Sequence, residues 1–226
     1  MISRSRYYET NLYPLQTGVM TTLKQCGARF YLTGGTALSR GYYNHRYSDD
    51  LDFFVNNDGD YYEQVKNVSR ALKDDGFFWD AGSEFISAEN FTSFKVHWKQ
   101  SDAVLKMDFV NDVAARFGKI IETDVYYKTD SIRNILANKL TAAYRLAAKD
   151  MADIREIAMR ERIDWRQAIN DARQKEAGID LCHIASILQN MPEHEFKHII
   201  WTSPPDWGAF KSDLQKIALD MLFCKH

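Results

Sequence analysis

The sequence predicts an α+β fold: a small mixed β-sheet flanked by helices, followed by a helical C-terminal region. Three observations predict it. Short helical and extended signals alternate up to about residue 128, and 3.6-residue periods replace them from residue 129 onward. The composition, 45% hydrophobic and 27% charged over 226 residues, is that of a globular chain. The chain therefore divides into an α/β core over residues 1–128 and a helical region over residues 129–226.

Residues 12–25 read as a helix, with Leu12, Leu15, Val19 and Leu23 spaced for one face. Residues 29–32 are a short apolar strand that runs directly into Gly34-Gly35. Residues 50–55 form a second strand, closed by the turn signal Asn56-Asn57-Asp58-Gly59. Residues 61–73 are helical, and 77–86, 91–98 and 104–110 are extended. The last two alternate: Phe94, Val96 and Trp98 oppose Lys95, His97 and Lys99. Asp130-Ser131 caps a long helix carrying Ile132, Ile135, Leu136, Leu140, Ala143 and Tyr144. Helical periods follow at 164–176, 180–189 and 207–223, separated by Gly178 and by Ser203-Pro204-Pro205.

Composition excludes several classes. No apolar run approaches the roughly 20 residues of a membrane span, and the first residues lack an apolar signal core. Cys26, Cys182 and Cys224 offer neither a disulfide framework nor metal-ligand spacing, which points to a reducing, cytoplasmic setting. The net charge is −2, and both halves are balanced, so there is no overall basic field. One local excess, 11 basic against 7 acidic residues from Lys128 to Lys175, is the pattern of a solvated helical face.

The chemistry concentrates between Leu32 and Phe54. Strand alternation puts Asp50 and Asp52 on one face while Leu51 and Phe53 point into packing. Two neighbouring carboxylates repel unless a cation compensates, and Mg²⁺ supplies that compensation through carboxylate and phosphate oxygens. Taken alone, Asp-x-Asp is more simply a solvated pair at a strand end. Upstream, Gly34-Gly35-Thr36 follows a strand and precedes a helical turn over residues 37–42. Glycines there admit an anion to the backbone N–H groups, and Thr36 adds a hydroxyl donor. A phosphate cradle beside a carboxylate pair suits a nucleoside triphosphate with its Mg²⁺ or Mn²⁺.

Gly35-Thr36, thirteen residues, then Asp50-Leu51-Asp52 resembles the signature of the DNA polymerase β-like nucleotidyltransferase superfamily. The fuller string, through His45-Arg46, Ser48 and Asp50-Leu51-Asp52-Phe53-Phe54, is similar to the AbiEii/AbiGii toxin family within it, over about residues 20–160. The resemblance implies a nucleotidyltransferase core completed by the C-terminal helices. Its implied reaction is transfer of NMP from an NTP to an acceptor hydroxyl, on RNA such as a tRNA 3′ end or on a protein, with a cognate antitoxin as partner. It implies a third carboxylate on a later strand, for which Asp108 is the candidate; solvent exposure is the simpler account of that acid on alternation alone. Asp102 and Asp112 compete from the strand's ends.

It also implies a helical lysine followed by a basic-Asp-x-x-Asp motif, met here by Lys139 and by Lys149-Asp150-Met151-Ala152-Asp153. On one continuous helix Lys139, Asp150 and Asp153 share a face. Lys139 would then meet the triphosphate, with Asp153 positioning it, or simply pair with Asp150 or Asp153; Asp150 is also a candidate helix cap. Arg46 is a candidate phosphate contact, and His45 a local hydrogen bond that shapes the loop. Tyr42, Tyr43, Phe53, Phe54, Phe77, Phe78 and Trp79 stand at core-like spacings. His194 and His198 are spaced i, i+4 without a third ligand. The resulting assignments are Asp50, Asp52 and Asp108 for metal, Gly34, Gly35, Thr36, Arg46, Lys139 and Asp153 for nucleotide, and Lys139 with the three aspartates for catalysis. Two other readings stay open: a non-catalytic nucleotide-binding relative, and a glycosyltransferase that uses Asp-x-Asp.

Overall fold

The computed structural model describes residues 4–223. Its six-stranded mixed sheet has the order β1-β2-β6-β5-β3, with β4 also paired to β5. The strands are β1 Tyr31–Thr33, β2 Leu51–Asn56, β3 Phe77–Phe78, β4 Phe85–Ala88, β5 Phe91–Trp98 and β6 Ser101–Asp112. β2 and β6 are parallel; all other pairs are antiparallel. The expected extended stretch over 77–86 is two strands separated by a turn in which the Asp80 carboxylate accepts from Gly82 N–H and the Ser83 hydroxyl. Self-satisfaction of this kind by Asp competes with strand pairing.

The chain divides into two compact units. One holds the residues through Tyr42, Tyr47–Ala114 and Ile120–Asp130; the other holds Tyr43–Arg46, Ala115–Lys119 and the chain from Ser131 on. In the first, period-2 alternation buries Leu51, Phe53, Leu105, Met107, Phe109 and Phe94 on one sheet face. Each such large side chain contributes about 1.5–3 kcal/mol relative to exposure. Two helices, α2 Tyr13–Gln25 and α4 Tyr61–Asp74, pack against each other, and α2 also packs on β6. The helix expected to begin at residue 12 begins earlier, with α1 Arg4–Tyr7 and a π-helical turn Tyr8–Leu12 leading into α2. A helical run also starts at Gly34 itself, as α3 Gly34–Thr36 and a π-helical turn Ala37–Tyr43.

The second unit contains α5 Ile132–Ala142, α6 Ala148–Arg160, α7 Trp165–Lys175, α8 Leu181–Gln189, the short α9 Glu193–Phe196 and α10 Trp207–Leu222. Four of these starts are set by side-chain caps. Ser131 accepts from Asn134 N–H, Asp164 from Gln167, Asp180 from Cys182 and Asp206 from Ala209. Each such cap typically contributes about 1 kcal/mol. The continuous helix expected across residues 139–153 is broken: α5 ends in a 3₁₀ turn Ala143–Arg145, and Leu146 adopts a left-handed conformation (φ 57°) before α6 begins. Among the described residues no helix is long and apolar enough to cross a membrane. Cys224 lies outside the described residues, and Cys26 and Cys182 are exposed free thiols.

Candidate active site

Parallel pairing of β2 with β6 sets Asp52 opposite Asp108, and antiparallel pairing of β1 with β2 sets Thr33 opposite Asp52. Three adjacent strands thus present Thr33, Asp52 and Asp108 on the face opposite the apolar core, with Asp50 one alternation upstream of Asp52. Asp108 Oδ1 accepts from the Ser93 hydroxyl at 2.7 Å, and its Oδ2 meets the Lys106 ammonium at 2.5 Å. Burial pulls the Lys106 pKa down, but Asp108, then Asp50 and Asp52, outweigh it and hold it above the ordinary lysine value. One ammonium therefore lies within electrostatic reach of all three carboxylates.

The glycine turn touches this group directly. Gly34 has φ +68°, and a Cβ there would collide with the Asp52 carboxylate, so both the conformation and the contact require glycine. The Thr36 hydroxyl donates to the Asp50 carbonyl oxygen. Its proton is thus engaged in holding the start of β2, where the sequence led us to expect a donor to phosphate. The Thr33 hydroxyl donates to the Asp130 carboxylate at 2.7 Å, with both residues buried.

The segment leading to Asp50 has no regular structure and is held by side chains. Gln16 Nε2 donates to the carbonyls of Ser48 and Asp49 at 3.0 and 3.1 Å, and Gln16 Oε1 accepts from Arg40 at 2.9 Å. The Tyr8 hydroxyl donates to the Asp49 carboxylate, and burial, then this bond, pushes the phenol pKa up.

The hard oxygens of Asp50, Asp52 and Asp108 are the donor chemistry that Mg²⁺ or Mn²⁺ takes. Among the described residues no three acidic, histidine or cysteine side chains are gathered tightly enough to hold a metal ion. Both oxygens of Asp108 are turned to Ser93 and Lys106. The donor set fits a divalent cation in its chemistry, three carboxylates around one ammonium.

The second unit contains a buried ion cluster. Lys139 Nζ lies 2.7 Å from Asp150 and 2.6 Å from Asp153, and its side chain is 6% exposed. Asp153 also receives Arg46 through two bonds of 2.7 Å and His45 Nε2 at 2.8 Å, while Arg145 forks onto Asp150 at 2.6 and 2.9 Å. Burial alone would raise the Asp153 pKa; Arg46 and Lys139 reverse that and leave it well below the carboxylate range. Burial would lower Lys139, and Asp153 and Asp150 raise it instead. Lys139 and Arg46 are buried with the two carboxylates, while Arg145 reaches Asp150 from the surface with its side chain 56% exposed. His45 Nδ1 is buried without a hydrogen-bond partner.

Several expectations change against this geometry. His45 bonds to Asp153 across 108 residues and not locally. Asp150 lies in the first turn of α6 but serves as an ion-pair partner; Ala147 occupies the cap position. Asp102 and Asp112 lie on β6 itself, since the strand extends beyond the expected 104–110. Phe53 and Phe77 are core residues as expected, whereas Phe78 is 47% exposed and stacks on His97. His194 and His198 are exposed and contact Glu195. Sequence reasoning missed Ser93, Gln16, Arg40 and Tyr8. Ser93 shares the polar face of β5 with Lys95 and His97, which alternation shows. Gln16 betrays itself as a polar residue in line with Val19, Met20 and Leu23 on the buried stripe of α2.

Known structures share this architecture. The crystal structure of JHP933 from Helicobacter pylori superposes with a TM-score of 0.67 at 17% identity, over 100% of this chain and 95% of that one. A putative nucleotidyltransferase from H. pylori gives 0.64 at 17% identity, over 95% and 96%. MenT4, a nucleotidyltransferase toxin from Mycobacterium tuberculosis, gives 0.62 at 17% identity, over 94% and 82%. At these identities the likeness is one of fold. Comparison with curated proteins returns no match. The family model described as "Nucleotidyl transferase AbiEii toxin, Type IV TA system" matches residues 20–220. The match spans the glycine turn, all three aspartates and the buried cluster, and decides between the readings the motifs left open: the chain belongs to the AbiEii nucleotidyltransferase toxin family.

Proposed function

We propose that the protein transfers NMP from an NTP to a hydroxyl of RNA, such as a tRNA 3′ end, or of a protein, with Mg²⁺ or Mn²⁺ at Asp50, Asp52 and Asp108. The observation that carries this reading is the register of Asp52 with Asp108 beside Gly34. The acceptor oxygen attacks the α-phosphorus, the bond to the α–β bridging oxygen breaks, and pyrophosphate leaves. Asp108 takes the proton of the attacking hydroxyl. When bound, the metal supplies charge stabilisation to the entering and leaving oxygens. Backbone N–H groups of the Gly34-Gly35-Thr36 turn bind phosphate, and Thr36 fixes the start of β2 through Asp50.

By the family's pattern, the proposal extends to Lys139, Arg46 and Asp153 as nucleotide-binding residues. What supports this is that Lys139 and Arg46 meet on Asp153, so one buried carboxylate orients both cations. Family membership in a toxin–antitoxin system points to a cognate antitoxin as partner. The test is incubation with total cellular RNA and protein and each α-labelled NTP. Label on RNA or protein, with pyrophosphate released and dependence on Mg²⁺, supports the reading; no labelled product with any NTP ends it.

A further inference from the structure

The carbonyl oxygens of three successive residues, Ser48, Asp49 and Asp50, are held by two side chains from outside their segment. Gln16 takes the first two and Thr36 the third. Residues 47–50 have no ladder to satisfy these carbonyls, and their positions determine where β2, and with it Asp52, begins. Gln16 is fully buried on the apolar stripe of α2, with Leu15, Val19, Met20 and Leu23. An amide there is costly unless its bonds are made. Its donors go to the two carbonyls and its acceptor to Arg40, which also reaches Thr17 Oγ1 at 3.1 Å. Tyr8, eight residues earlier, bonds the Asp49 side chain. An apolar residue would pack this stripe as well, so packing does not explain the amide; holding the approach to the carboxylates does. Tyr8 and Gln16 both precede residue 20, where the match to the family begins.

We propose that Gln16 is a positioning residue: oriented by Arg40, it clamps Ser48 and Asp49 so that Asp50 and Asp52 stand in register with Asp108 for divalent-cation binding. This rests on the nucleotidyltransferase reading of the site. The test compares Gln16→Met, Arg40→Met and Thr22→Val. The last removes a hydroxyl bond to Asp75 elsewhere on α2 and controls for loss of stability. Mn²⁺ binding is read by EPR of the free ion, alongside melting temperature and steady-state transfer. Gln16→Met should weaken Mn²⁺ binding about tenfold and lower kcat about 10²-fold, the scale of a 1 Å misplacement, with KM for NTP within about twofold. Arg40→Met should shift the same quantities less, and Thr22→Val should lower the melting temperature alone. Wild-type Mn²⁺ affinity in Gln16→Met, or in Arg40→Met should the first variant fail to fold, overturns the clamp. A Thr22→Val protein that loses Mn²⁺ binding in step with its stability does so too. Absence of transfer by the wild type with every NTP and acceptor overturns the catalytic reading instead, while Mn²⁺ binding still decides the clamp.

Discussion

Asp52 and Asp108 stand directly opposite each other on neighbouring parallel strands. Nothing in the sequence between them brings the two together; the hydrogen-bond register does. On the proposed reading Asp52→Asn lowers transfer by about 10²-fold or more, the scale expected when a reacting group loses its placement. Its melting temperature should match or slightly exceed wild type, because one of the repelling carboxylates is neutral. Transfer at the wild-type rate in a folded Asp52→Asn protein would remove Asp52 from the metal site.

Gly34 and Gly27 provide a paired test. Both have positive φ, but a Cβ at Gly27 meets nothing within 4 Å, whereas one at Gly34 collides with Asp52. Gly27→Ala should cost about 1–2 kcal/mol of stability through backbone strain alone and leave transfer unchanged. Gly34→Ala adds eviction of the Asp52 carboxylate, so it should also lose transfer. Equal activity in the two variants would show that the contact with Asp52 is unimportant.

The Lys139 cluster predicts a defined pH window. Asp153 is depressed, so its contribution is complete above the unfolded carboxylate value near pH 4 and is lost as pH falls toward its folded value. Lys139 is raised, so its contribution is complete below its unfolded value of about 10.4 and is lost as pH rises through the folded one. Stability against denaturant should therefore fall on both sides of a plateau. Asp153→Ala should cost about 3–5 kcal/mol, because it removes the carboxylate that the buried Arg46 and Lys139 share. A loss under about 1 kcal/mol would mean the pairs are solvated.

Lys106 meets Asp108 and is held charged by all three aspartates, so on the proposed reading it competes with the divalent cation. Lys106→Met should lower the Mg²⁺ concentration needed for half-maximal transfer and enlarge the rise in melting temperature on adding Mg²⁺. An unchanged Mg²⁺ requirement would separate Lys106 from the metal site.

Much of the fold and part of the candidate site are legible in the sequence. Ser131, Asp164 and Asp180 announce their helices because a cap is a local signal, read within three residues. Asp50 and Asp52 are legible by alternation, and Asp108 by family pattern. The helix break is hidden, since Leu146 carries no glycine, proline or asparagine signal for its left-handed conformation. The role of His45 is hidden because its partner lies 108 residues away. Gln16 and Arg40 escape for the same reason: their roles are set by tertiary contact.

The break at Leu146 changes what the second unit tolerates. Lys139 lies on α5 and its two acids on α6, so their meeting depends on the rotational phase of each helix separately. One residue inserted between Ile135 and Lys139, or between Ala148 and Asp150, turns the cluster residues by about 100° relative to the preceding part of their helix. The same insertion between Leu146 and Ala147 leaves both phases intact. That corner is the position along this stretch where length can vary without scrambling the ion cluster.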